Sequence, residues 1–204
     1  MRTELAADVV VPDGATGVVL FAHGSGSSRL SPRNRAVARE LNRRGLATVL
    51  MDLLTEEEGR LDDVDGRLRF DIGLLAERLI EAVDRLGTRV ATAGLPVGLF
   101  GASTGGAAAL VAAAARPDVV RAVVSRGGRP DLAGPALAQV AVPTLLIVGG
   151  NDPLVVDLNQ RSRRVLAGPS ELRVIPGASH LFEEPGTLEQ VATLAADWFT
   201  GALR

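Results

Sequence analysis

The chain has 204 residues, enough for one domain with a substantial core, and a hydrophobic share of 47% against 23% charged residues excludes a disordered composition. A formal net charge of −2 offers no basic field for gathering phosphates, so composition gives no support to nucleic-acid binding and points to small-molecule partners. With no cysteine there is no disulfide, thiolate nucleophile or Cys-type metal or redox site, and with no lysine there is no Schiff base, so any nucleophile is oxygen-based.

The opening residues Met1 to Asp8 place Glu4 and Asp8 where a signal peptide needs an apolar core. The most apolar stretch, Gly105 to Ala115, falls far short of the roughly 20 residues of a membrane span. The expectation is a cytoplasmic protein with no membrane partner; the oligomeric state is left open. From there, short apolar runs alternate with segments of helical period. Val9-Val10-Val11 reads as an edge strand and Val18 to Ala22 as a buried one. A helix over Ser31 to Arg44 leads to a strand over Ala47 to Met51. The acidic runs Glu56-Glu57-Glu58 and Asp62-Asp63-Val64-Asp65 lack the spacing of a cation-binding loop and read as solvated loop charge. Ile72, Leu75, Leu79, Val83 and Leu86 recur at steps of three and four, which predicts a helix over Asp71 to Leu86 with one stripe on a sheet. Strands follow at Val97 to Gly101, Val119 to Val124, Thr144 to Val148 and Leu172 to Ile175, with helices at Thr104 to Arg116, Val156 to Leu166 and Leu188 to Leu203. This alternation predicts an α/β protein, a mostly parallel central sheet with helices on both faces, in a single domain over residues 1–204.

The most specific local signal is Gly101-Ala102-Ser103-Thr104-Gly105, set between an apolar strand and an Ala-rich helix. A sharp strand-to-helix turn strains its central residue, and neighbours two positions away must lack bulk, which Gly101 and Gly105 do. Such a turn lifts the Ser103 hydroxyl above the strand ends and leaves the Thr104 amide at a helix N-terminus, where an unpaired N–H favours an anion. Serine needs a base, and the chain offers only His23 and His180. His180 follows the last strand, and Asp152, in Gly149-Gly150-Asn151-Asp152-Pro153, follows the strand before it. The order Ser, acid, His selects Ser103, Asp152 and His180, with Asp157 as the rival acid, better explained as a charge at a helix start.

With Phe21-Ala22-His23-Gly24-Ser25-Gly26-Ser27-Ser28 and Gly177-Ala178-Ser179-His180-Leu181-Phe182, these motifs make the chain resemble the α/β-hydrolase superfamily, specifically its dienelactone-hydrolase-related group, over nearly the full length. True dienelactone hydrolases have a cysteine nucleophile where this chain has Ser103. Domains similar to this one also occur behind phosphoribosyltransferase domains. The resemblance implies an α/β-hydrolase fold without a cap domain and a second oxyanion-hole amide at Ser25, with His23 pinning that loop. It further implies hydrolysis of an ester, lactone or related acyl bond through an acyl-enzyme, with no metal and no organic cofactor. A thioesterase, acyltransferase or perhydrolase would use the same three residues, and a non-catalytic binding module on the same fold is the reading from another class. The span from Ser125 to Pro143 is too short for a helical cap, so an open site is expected. The basic loop Ser125-Arg126-Gly127-Gly128-Arg129-Pro130 follows a strand whose carboxyl end faces the site. Arg126 or Arg129 is therefore placed either to bind an anionic substrate group or to pair with rim acids such as Asp131.

Overall fold

The structure is a computed structural model and describes residues 5–88 and 90–203. Seven strands form one sheet: β1 (Ala7–Val10), β2 (Val18–Ala22), β3 (Ala47–Met51), β4 (Val97–Ala102), β5 (Val120–Arg126), β6 (Thr144–Gly149) and β7 (Ser170–Ile175). Their order is β1-β3-β2-β4-β5-β6-β7, and only β1 is antiparallel to its neighbour. Every residue of β2, β3, β4 and β6 is buried, because helices cover both faces of the parallel strands and no side chain has a wet side to point to.

The helices are α1 (Pro32–Arg43), α2 (Glu56–Asp65), α3 (Ile72–Leu86), α4 (Thr104–Ala115), α5 (Pro153–Arg163) and α6 (Thr187–Ala202). Alternate strand residues sort into two cores. Val18, Leu20, Leu99 and Val123 pack with Leu79 and Val83 of α3 and Leu110 of α4. Val19, Phe21, Phe100 and Val124 pack with Val37 and Leu41 of α1 and Val191 and Phe199 of α6. Adjacent strands β2 and β4 therefore send their carboxyl ends into helices on opposite faces. This opens a crevice where such sheets bind ligands, and it lies between the loop after Ala22 and the turn at Ser103.

Two of the departures from the sequence reading bear on the site region. The acidic residues 56–65 are a helix rather than a loop. Thr55 accepts the Glu58 N–H while Glu58 accepts the Thr55 N–H, a capping box, and Gly66 ends the helix in the left-handed region. One of its acids, Asp62, is buried and holds the Arg69 guanidinium and backbone N–H. The second difference is that β5 runs two residues further than expected, so Arg126 ends the strand instead of lying in the loop. Between β5 and β6 the chain makes only short 3-10 turns over Pro130–Gln139, kinked at Gly134 and packed on α4.

Candidate active site

Ser103 occupies the turn from β4 to α4 with φ 51° and ψ −120°. Among the described residues only Ser103 and Phe182 combine a side chain with positive φ, a strained backbone that a turn must hold from both sides. The glycines show how. A Cβ at Gly101 would come under 3.0 Å from the Gly105 carbonyl and the Gly106 Cα, and one at Gly105 under 3.0 Å from the Ala22 and His23 carbonyls. The start of α4 thus presses directly on the ends of β4 and β2. Within the turn the Ser103 N–H donates to the Arg126 carbonyl (3.2 Å), and the Ser103 carbonyl accepts from Gly106 (3.0 Å) and Arg129 (3.2 Å).

The loop after β2 lies against the same serine: a Cβ at Gly24 would sit 3.0 Å from the Ser103 Cβ. Ser25 and Gly26 are the middle residues of a turn closed by the Ser27 N–H on the Gly24 carbonyl (3.2 Å), with Gly26 at φ 67°. Ser25, in this turn, and Thr104, in the first turn of α4, line the same cleft. His23 fixes this loop. Its Nδ1–H donates to the Gly24 carbonyl (2.9 Å) and its Nε2 accepts the Leu53 N–H (3.0 Å), a neutral tautomer assigned from its partners.

Burial holds the His23 pKa below its ordinary 6.5, outweighing the Gly24 carbonyl and Asp52, which favour the charged form. The folded state then binds fewer protons than the unfolded state in the window below 6.5, so stability falls as pH drops through it, until the folded-state pKa is reached. The thermal midpoint is expected to decline between about pH 7 and pH 5, and His23→Gln to remove part of that slope. Equal slopes in the two proteins would show that His23 does not set the acid limb.

At the other end of the crevice Asp152 caps α5, and its Oδ2 receives the His180 Nδ1–H at 2.7 Å. The hydrogen bond leaves the Asp152 side chain 18% and the His180 side chain 38% exposed, so the imidazole has an open edge. The two loops that carry them are tied together. Gly150 N–H donates to Ile175 (2.8 Å), Asn151 N–H to Ala178 (2.9 Å) and the Asn151 amide to Gly177 (2.8 Å). A Cβ at Gly149 would come under 3.0 Å from the Ala178 and Ser179 carbonyls. Glu184 closes the His180 loop by accepting the Ser179 N–H (2.9 Å), the bond that chiefly lowers its pKa. The sequence reading missed Gly149, Asn151 and Glu184 as supports; only Gly149, after an apolar strand, had a local signal.

The loop also meets the Ser103 turn. A Cβ at Gly127, the residue after Arg126, would sit 3.1 Å from the His180 carbonyl and 3.5 Å from its Cε1. Ser103 thus meets Arg126, the last residue of β5, and His180 lies near Gly127, the residue after it. The rival acid Asp157 is not a charge at a helix start: α5 begins at Pro153, three residues earlier than the sequence predicts, so Asp157 falls in its second turn and pairs with Arg161 on the exposed side (2.8 Å). Arg129 forms a two-pronged pair with Asp131 (2.9 and 2.7 Å), and Arg126 is buried. A cleft of about 760 Å³ runs from Thr104 and the Ser25 loop toward α2 and is lined there by Arg60, Asp62 and Arg69.

Comparison with known proteins agrees with this architecture. The model of the dienelactone hydrolase family matches residues 5–200. A Mycobacterium tuberculosis protein named as a candidate phosphoribosyl transferase is 60% identical over 195 residues, covering 96% of this chain but 43% of that protein. The chain thus spans less than half the length of that curated relative. The crystal structure of a dienelactone hydrolase from Anabaena variabilis superposes with a TM-score of 0.98 at 60% identity, covering 100% of this chain and 94% of the other. Est1E from Butyrivibrio proteoclasticus, at 16% identity and TM-score 0.80 over 97% of this chain and 94% of its own, shares the fold. The chain belongs to the dienelactone hydrolase family.

Proposed function

We propose that the chain is a serine hydrolase that cleaves a small-molecule ester, lactone or related acyl bond through Ser103, His180 and Asp152. The observation that carries this reading is the 2.7 Å bond from His180 Nδ1 to Asp152 Oδ2, at the same end of the sheet as a serine with φ 51°. The bond leaves Nε2 as the basic nitrogen, as a general base for a hydroxyl requires. Nε2 takes the proton as Ser103 Oγ attacks the carbonyl carbon, and the amides of Thr104 and Ser25 bind the oxyanion. The tetrahedral intermediate collapses as His180 returns the proton to the departing alkoxide. Water, deprotonated by the same nitrogen, then attacks the acyl carbon, and His180 returns the proton to Ser103 Oγ as the acyl–oxygen bond breaks and the acid leaves. Asp152 keeps the imidazole oriented and balances its charge.

Labelling of the protein by a fluorophosphonate, lost in Ser103→Ala, separates an enzyme from a binding module. A panel of esters, lactones and thioesters then orders hydrolase against thioesterase. Wild type left unlabelled and inactive on the whole panel would refute the proposal.

Access follows from the fold. The short turns over Pro130–Gln139 pack on α4 and form no helical cap over the crevice. Hydrolysis of a short-chain ester is therefore expected to rise smoothly with substrate concentration, with no jump when micelles form. A sharp activation at the micellar threshold would show a moving lid.

A further inference from the structure

Among the described residues Arg126 is the one buried arginine, 6% exposed, and the proposed chemistry gives it no task. It pairs with Ala102 across the sheet, which brings its carbonyl to the Ser103 N–H. Its side chain, two strand steps beyond Ala122 and one beyond Val124, enters the core beside α1 and α6. There its Nη2 donates a long bond to Asn34 Oδ1 (3.4 Å), and Nε and Nη1 have no partner. Among the described residues no acid pairs with it. Burial first, and the nearby Arg33 cation second, pull its pKa down to about 10. A buried cation beside a like charge works against stability, and the compensation must lie in what it touches.

What it touches is Phe182: the guanidinium carbon lies 5.8 Å from the ring centroid, within cation–π range. Phe182 is two residues past His180, fully buried, and is the second non-glycine residue at positive φ. Its ring and the His180 Cε1 both lie 3.5 Å from where a Gly127 Cβ would be. A strained backbone persists only where its surroundings over-determine it, and Arg126 under the ring supplies such a hold. We infer that Arg126 is a positioning residue, whose carbonyl fixes the nucleophile turn and whose guanidinium clamps, through Phe182, the loop that presents His180. The inference rests on the serine hydrolase reading for its kinetic consequence and on the contacts alone for its structural one.

The test uses the purified chain, p-nitrophenyl acetate as substrate, a fluorophosphonate as label and hydrogen exchange over residues 178–184. Misplacing a base by a fraction of an ångström weakens proton transfer more than binding. R126M is thus expected to lower kcat and the labelling rate roughly 10-fold or more with KM within about twofold. Its thermal midpoint is expected to hold or rise, because an apolar chain replaces an unpaired charge. Exchange in the loop should quicken. R126K, which keeps a cation under the ring, is expected to restore most of kcat, and F182L to match R126M, with the double variant no slower than the worse single. The clamp is overturned if R126M keeps kcat within about twofold, if the two losses simply add, or if loop exchange is unchanged. It is also overturned if the loss lies in KM and only for an anionic ester such as a monoester of succinate, which would make Arg126 a substrate-binding group. Should R126M fail to fold, R126K and F182L carry the same comparison. A wild-type protein that does not label would fail the hydrolase reading, while loop exchange would still decide the clamp.

Discussion

Ser103→Ala and His180→Ala are each expected to lower kcat for a reactive ester by roughly 10⁴-fold or more, and the double variant to lose no more than either single one, because nucleophile and base act as a unit. Asp152 needs a finer experiment, since it caps α5 as well as holding His180. Removing a cap costs about 1 kcal/mol, so Asp152→Ala would confuse a folding loss with a chemical one. Asp152→Asn keeps a capping oxygen while removing the charge that balances the imidazolium. Its thermal midpoint is expected to stay close to wild type, with kcat reduced by roughly 10²–10⁴-fold. Asp152→Asn with near-wild-type turnover would remove Asp152 from the mechanism. Asp157, engaged by Arg161, would then need to leave that pair to replace it.

The frame of the molecule was legible because buried parallel strands write themselves as continuous apolar runs: Val18 to Ala22 and Ala47 to Met51 are strands with the bounds the sequence predicts. The turn at Ser103 was legible for a similar reason, since only glycines at 101 and 105 allow α4 to sit against the ends of β4 and β2. Ser103, Asp152 and His180 lie beyond the carboxyl ends of β4, β6 and β7 because each follows a strand. What failed to show was of two kinds. The helix over Glu56–Asp65 hid behind its charge, although Thr55 followed three residues on by Glu58, and Gly66 after it, spell its start and stop. Arg126 read as a loop residue because a guanidinium is rarely found in a core. The period of two from Ala122 and Val124 already assigns it to their face. The tie from Arg126 to Phe182 spans fifty-six positions, 182 minus 126, and no local pattern encodes a contact of that kind.

Gly105→Ala is expected to be among the most damaging conservative changes in the chain. The added methyl would lie under 3.0 Å from two carbonyl groups, those of Ala22 and His23, both backbone atoms fixed by the sheet, so no side-chain rotation relieves the clash. Either α4 moves away from β2 or the loop after β2 is displaced. The first opens a void along a helix whose residues Thr104 to Leu110 are all buried; the second moves the His23 contacts and the Ser25 amide. Overpacking at a site this rigid costs about 2–4 kcal/mol, which for a domain of this size lowers the thermal midpoint by roughly 5–15 °C. Activity should fall further than stability, because both displacements shift an amide proposed to bind the oxyanion relative to Ser103. The matched control is Gly201→Ala. Gly201 lies in the last turn of α6 with nothing within 4 Å of its Cβ position and no positive φ. There the same methyl only narrows the unfolded chain and favours helix, and stability should rise by about 0.4–1 kcal/mol. Opposite signs for one substitution at two glycines would tie the cost at position 105 to backbone contact rather than to loss of glycine. A Gly105→Ala protein as stable and active as wild type would mean that α4 does not press on β2 as the structure has it, and the support for Ser103 would have to be sought elsewhere.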